Sequence, residues 1–357
     1  MSFTIKFRDE VAWCTTVILM LALPMVLSGC GNDSGSGEDV SVRTMQKRSD
    51  KAEVGPLPSP EIETAPMSKE STKKDVKSVK PEPQREVTYE EAEAAYFGKR
   101  YEEAVELFKL YAERKSENPW GHYMLGLSAW KAGEFEIAEE AFERALAIDP
   151  LHVKSLLNLS RVLLDTGRPE EALAKITEAL EIDSESNDAF RLQGRAYCQL
   201  GQLEEAVGAY RQAILVDDRD AWSMNNLGLI FIEEGLFGEA LPPLARAVEL
   251  RDDIAIFQNN LGMALERTGH FRAAEEAYRS AIAIDASYEK ASANLSRVEA
   301  VTEDPGIEPV ELAGLARRFT KEIEAWREAV VYDEKSGSIE PEAIIVTEAD
   351  STGNSDR

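Results

Sequence analysis

The sequence predicts an all-α protein built as a solenoid of stacked helical hairpins, and three sets of evenly spaced residues predict it. Gly126, Ser160, Gly194, Gly228 and Gly262 follow one another at intervals of 34 residues. Ala104, Ala138, Ala172, Ala206, Ala240 and Ala274 keep the same interval, as do Ala145, Ala179, Ala213, Ala247 and Ala281. Between the alanines runs a row of large residues: Phe108, Phe142, Ile176, Tyr210, Leu244 and Tyr278. Self-similarity at this period means that each unit buries its apolar face only against its neighbours. Residues 85–288 accommodate six units with no insertion.

Steric reasons account for each series. The small residue of the first helix (A) is expected to face the first alanine of the second (B) where the two cross, because a larger side chain would push the axes apart. The second alanine lets helix B close against the next unit. Gly133, Gly167, Gly201, Gly235 and Gly269 supply a backbone shape that ends helix A. Pro169 suits the first position of a helix B.

The stretch WGHYMLGLSAWKAGEFEIAEEAFERALAIDP, residues 120–150, resembles the tetratricopeptide repeat consensus nearly throughout. That resemblance implies a right-handed superhelical solenoid of six such units, with helix A of each lining a concave groove. The first unit departs from the pattern at Glu91, where a leucine is usual, and reads as a cap. Pro242 and Pro243 lie inside helix B of the fifth unit and should delay or kink it. A seventh helix A follows, and Pro305-Gly306 ends it. Leu312, Ala316, Phe319, Ile323, Trp326 and Val330 then make an apolar stripe at helical spacing. This stripe reads either as a cap on the last repeat's apolar face or as a docking helix for a partner.

Carried onto this chain, the groove positions implied by the resemblance fall into three zones. Trp120, Tyr123, Met124, Leu127 and Trp130 are mainly aromatic. Lys154, Arg161, Arg191 and Arg195 are basic. Trp222, Asn225, Asn226 and Leu229, then Ile256, Asn259, Asn260 and Met263, mix amides with apolar groups. Asn158, Asn226, Asn260 and Asn294 share one register, and similar asparagine rows in this family hold the backbone of an extended peptide. An amide donates and accepts at once, so it suits a peptide of any sequence. The candidate partner-binding residues are Trp120, Asn158, Arg161, Arg191, Arg195, Trp222, Asn225, Asn226, Asn259 and Asn260. The competing reading makes these residues scaffold; pairing of the arginines with Asp165 and Asp188 would make that cluster structural. The family's carboxylate clamp matches no three consecutive units.

The N-terminus reads as an address. Lys6 and Arg8 precede an apolar run from Val11 to Leu27, which contains Pro24 and is short for a membrane span. Leu27-Ser28-Gly29-Cys30 resembles the lipobox of bacterial lipoproteins, whose cysteine carries acyl chains, palmitate among them, and becomes the mature N-terminus. Several acyl chains on one residue hold a protein stably to a bilayer. An uncleaved N-terminal anchor is the other reading. Gly31 after the cysteine leans, by that resemblance, towards an outer membrane facing the periplasm. The expected organisation is a signal peptide at 1–29, a lipidated Cys30 with a disordered Gly-, Ser- and Pro-rich linker at 30–84, six units at 85–288, capping helices at 289–331 and a disordered acidic tail at 332–357. The linker spans roughly 40 Å as a flexible coil.

Composition narrows the function. Net charge is −26, with the acidity lying downstream of the linker, so a nucleic-acid partner is not expected. Cys14, Cys30 and Cys198 and the three histidines share no ligand spacing, and no metal or cofactor is expected. Phosphate loops and nucleophile motifs are absent from the sequence, so an enzyme is not expected. Two function classes remain: an envelope lipoprotein that positions or assembles a multiprotein machine, similar to pilotin-like lipoproteins of type IV pilus systems, and a module that captures soluble peptides or adaptors. Either way the partners are other proteins or extended peptide segments, with a membrane contacted through the lipid.

Overall fold

The computed structural model describes residues 86–336, and all regular elements among them are helices. The leader, Cys30, the linker and residues 337–357 of the acidic tail, with Ile344-Ile345-Val346, lie outside the described residues, whereas residues 332–336, expected in the tail, continue the last helix. Six hairpins follow one another: α1 (Tyr89–Phe97) with α2 (Tyr101–Arg114), α3 (Pro119–Ala132) with α4 (Phe135–Ile148), α5 (Val153–Asp165) with α6 (Pro169–Ile182), α7 (Asn187–Gln199) with α8 (Leu203–Val216), α9 (Ala221–Glu233) with α10 (Phe237–Leu250), and α11 (Ala255–Arg267) with α12 (Phe271–Ile284). Two further helices are α13 (Glu289–Val298) and α14 (Leu312–Ser336).

Local chemistry marks where the helices start and stop. Asn118 accepts from the backbone N–H of Trp120 at 3.0 Å, and Asp220 from those of Trp222 and Ser223 at 3.1 and 3.2 Å. Pro119 and Pro169 occupy first-turn positions, where a missing N–H costs nothing. The five turn glycines have φ between 72° and 87°. Just beyond each, an N–H reaches back five residues, as from Glu134 to Ala129 and from Arg168 to Leu163, both at 2.8 Å, and satisfies a carbonyl that the helix leaves open. Lys99 takes that position in the first unit, at φ 58°.

The packing inside a hairpin adds to the sequence expectation. The atoms nearest to the helix A glycine belong to the large residue of helix B in four of the hairpins. A Cβ on Gly126 would stand 2.6 Å from Phe142, and one on Gly194, 2.7 Å from Tyr210. Gly228 under Leu244 and Gly262 under Tyr278 repeat the arrangement. Ser160 is the exception that admits a side chain: its hydroxyl donates to the Leu156 carbonyl at 2.8 Å and lies 3.5 Å from the carbonyl of Ala172, the helix B alanine. The alanine series is buried in every unit beside these contacts. Helices A of successive units also touch, whereas helices B of successive units make no comparable contact, so the stack curves with helices A inside.

Pro242 and Pro243 do not delay α10, which starts at Phe237 like its counterparts. Their rings deprive the carbonyls of Gly238 and Glu239 of donors, but both of those residues are exposed and water can donate instead. Gly238 also gives the first ring a neighbour with no side chain. Both prolines are buried because α14 covers them.

That covering corrects the expected place of the C-terminal helix. The last repeat is closed by α13, through buried Ala291 and Val298, with an exposed polar outer face. Residues 299–311 then double back: Glu303 accepts from the backbone N–H of Arg272 at 2.7 Å, at the start of α12. The returning α14 lies on α10 and reaches α8, two units upstream. Ala316, Phe319 and Ile323 are buried and Trp326 half-buried, while Leu312 stays exposed and Leu315 packs in its stead; Val330 lies beyond the described side chains.

The strain at Lys99 has a measurable consequence. Lys99→Gly should stabilise the first hairpin by on the order of 1 kcal/mol, because glycine adopts this φ without steric cost. Slower amide exchange in α1 and α2 would register it; unchanged exchange would contradict it.

Candidate functional site

The inner wall is the surface that the stacked helices A share. In the second unit its aromatic zone divides by depth. Tyr123, Met124 and Leu127 are core residues, whereas Trp120 and Trp130 remain half-buried at the surface. Trp120 meets the rings of Tyr123 and His152 edge-on at 5.5 and 4.7 Å. Lys154 Nζ stands 5.9 Å from the Trp120 ring. Asn158 Nδ2 donates to the Tyr123 hydroxyl at 3.3 Å and to the Lys154 carbonyl at 2.9 Å, so it is committed to the scaffold.

His152 caps α5. Its Nδ1 accepts from the Ser155 backbone N–H at 3.2 Å, and its Nε2 is buried with no hydrogen-bond partner. Burial depresses its pKa, against the raising influence of Asp149; Lys154 adds to the depression. The ring is therefore held neutral.

The three arginines converge, and each is matched by an aspartate. Arg195 Nη2 donates to Asp165 Oδ1 at 2.5 Å, while Asp165 Oδ2 accepts from the indole N–H of Trp130 at 2.8 Å. Arg161 donates to Asn158 Oδ1 at 2.9 Å and lies 3.6 Å from Asp188. Arg191 pairs with Asp188 and approaches Asp220 at 3.6 Å. Arg161 is 4% exposed and Arg195 8%, so these charges are spent between repeats rather than offered to the groove. Asp165 and Asp188 were legible as partners. Asp220 was missed, although an aspartate just before a helix A is a sequence signature of a cap.

Further along, the amides bond to one another. Asn294 Nδ2 donates to Asn259 Oδ1 at 2.9 Å, Asn259 to Asn260 at 3.4 Å, Asn260 to Asn225 at 2.9 Å and Asn225 to Asn226 at 3.3 Å. Five side chains from α13, α11 and α9 thus form one row, in which the two bonds between helices each donate to the preceding unit and the other two link neighbours on one helix. Asn226 Nδ2, at its end, donates to no described residue. Trp222 stands nearby, half-buried, edge-on to Phe257 at 4.8 Å. The shared asparagine register was visible in the sequence; the diagonal bonding between registers was not.

Among the described residues no His, Cys, Asp and Glu grouping could hold a metal ion, and no helix is long and apolar enough to cross a membrane. Cys198 is buried, in no disulfide, with its Sγ 4.0 Å from the Tyr210 hydroxyl.

A tetratricopeptide repeat family model matches residues 123–187 and 227–289, and a TPR repeat model residues 194–235. DnaJ protein P58IPK homolog B of Oryza sativa subsp. japonica is 41% identical over 68 residues, 18% of this chain and 14% of that protein, a stretch as long as two units. A tetratricopeptide repeat protein from Parabacteroides merdae ATCC 43184 superposes with TM-score 0.51 at 14% identity, over 59% of this chain and 82% of the other. The APC/C hetero-tetramer Cut9-Hcn1 gives TM-score 0.52 at 15% identity, over 62% of this chain and 44% of the other. At these identities the structural likeness is one of fold. The repeat region is a tetratricopeptide superhelix, a fold of protein-interaction scaffolds.

Two measurements probe the wall. Arg195→Ala leaves Asp165 largely buried and without its cation, and should cost roughly 3 kcal/mol in stability, read from the urea midpoint. A midpoint equal to that of the unaltered protein would show the pair to be dispensable. For His152, the unfolded chain binds a proton at a pH where the folded one does not. Its contribution to stability is therefore complete above the ordinary histidine pKa of about 6.5 and is lost as pH falls below it. His152→Asn keeps a capping acceptor and should flatten the decline in melting temperature between pH 7 and 5; an unchanged slope would assign the decline to other groups.

Proposed function

We propose that the protein is a non-enzymatic scaffold, tethered to a bacterial membrane through acyl chains on Cys30, that positions or assembles an envelope protein complex. It does so by holding an extended polypeptide segment on its inner wall. The amide row supports the binding reading. Its bonds fix five side chains in place, so little conformational entropy is lost when a ligand arrives. The unclaimed donor of Asn226 suits a peptide carbonyl whatever that peptide's sequence. Trp222 offers a ring to an apolar side chain beside it. The contact residues on this reading are Trp120, Trp222 and Asn226, with the buried Asn225, Asn259 and Asn260 holding Asn226 in place and Arg161, Arg191, Arg195 and Asn158 as further support. The tether rests on the Leu27-Ser28-Gly29-Cys30 sequence and on the length of linker that follows.

One experiment has two arms. Cys30→Ser should abolish labelling by palmitate and shift the protein from the membrane to the soluble fraction; persistent labelling would reject the tether. A photo-crosslinking residue in place of Trp222 should capture a partner from the envelope fraction, whereas the same residue in place of Thr177, exposed on α6, should not. Equal capture at the two positions would remove the inner wall as the functional face.

A further inference from the structure

Helix α14 shows what the outer face of this stack accepts. It crosses the groove between the helices B of units four and five. Phe319 and Ile323 are buried there in one cluster with Ile214, Met224 and Leu227. Glu322 and Arg211 interact through their charges, and the Arg211 guanidinium lies 5.0 Å from the Trp326 ring. Arg327 reaches Asp218 at 3.0 Å. Where other units carry exposed Glu140 or Glu276, the fifth carries Pro242, which presents an apolar surface to the helix.

The same groove recurs three repeat periods upstream, between units one and two. Lys109 stands in the register of Arg211, Ala112 in that of Ile214, Leu125 in that of Leu227, Ala141 in that of Pro243 and Arg144 in that of Arg246. These five residues line an open cavity of about 360 Å³ together with Ile137, Glu113 and Glu140, the last in the register of Pro242. Its floor is apolar and its rim charged. Alanines in place of Ile214 and Pro243 make room for a larger insertion. Between units two and three the pattern breaks, since Glu143 takes the place of the rim cation and Lys175 that of the apolar floor.

We propose that the outer groove of units one and two docks an amphipathic helix of a partner protein, one that presents two large apolar side chains a turn apart and a carboxylate beside them to Lys109. Phe319 and Ile323 fill the two apolar roles in the occupied groove, where Glu322 pairs with Arg318 of its own helix at 3.5 Å and adds its charge to the field at Arg211. Lys109 is free to exchange partners at little cost: its present ion pair is with Glu106 at 3.1 Å, and the Glu106 side chain is 72% exposed. The site is independent of the inner wall, so helix-in-groove binding here and peptide binding there stand or fall separately.

The probe is a dye-labelled synthetic peptide of residues 312–336, which carries the required face, added to the full-length protein and followed by fluorescence anisotropy. Saturable binding with Kd below about 1 mM is expected. Lys109→Glu should weaken it roughly fivefold, and a peptide carrying Glu322→Lys should recover the loss on that variant. Ala141→Arg should abolish binding; if that variant melts early, the rim variant at Lys109 decides, since its side chain is partly exposed. No saturation up to that concentration overturns the proposal. So does binding that neither variant alters, which would place the peptide in the groove of α14 by displacement.

Discussion

In each hairpin a bulky side chain of helix B lies over a place on helix A with no room for another carbon: Phe142 over Gly126, Tyr210 over Gly194, Leu244 over Gly228, Tyr278 over Gly262. This contact fixes how closely the two helices approach and at what level along their axes they meet. With that set in every unit, residues 35 apart fall within bonding distance across the inner wall, and the same diagonal recurs along the stack. It joins Asn158 to Tyr123, Trp130 to Asp165, Asn260 to Asn225 and Asn294 to Asn259. A thicker contact in one hairpin would shift its helix A outward and break the diagonal on both sides.

The inner wall then solves one problem in two ways. Polar groups on a half-buried surface need partners. Through units three to five the partners are ions, with three arginines threaded among Asp165, Asp188 and Asp220. From unit five onward they are amides. The ionic segment stiffens the stack but has little left to offer a ligand, because each of the three arginines already faces a carboxylate. The amide segment stays neutral and keeps a donor in reserve, which is why binding is assigned to that end.

Much of this was legible beforehand, since periodicity is a property of sequence and the fold is periodic. The turn glycines, the alanine rows, the cap at Pro169 and the asparagine register all follow from residue type and spacing. What escaped depends on choices that spacing leaves open. An arginine and an aspartate on neighbouring helices can each turn to the groove or to one another, and only their side-chain geometry decides. The large residue of helix B was visible, but not that it reaches the small residue before the alanine does. Pro242 and Pro243 read as defects because a helix was considered alone. Against α14 they form an apolar surface, and their cost falls on two carbonyls that water can reach. The return of α14 was hidden because nothing periodic encodes it.

That return changes how the molecule must fold. Nearly all contacts in the stack join residues within about two repeats, so hairpins can form and add to one another quickly. The bond between Arg327 and Asp218 spans 109 positions. It can close only after α8 and α10 are in place and the chain is complete beyond residue 327. During synthesis, then, the hydrophobic strip on α10 waits uncovered while almost ninety further residues emerge, open to a chaperone's grasp or to a misplaced neighbour.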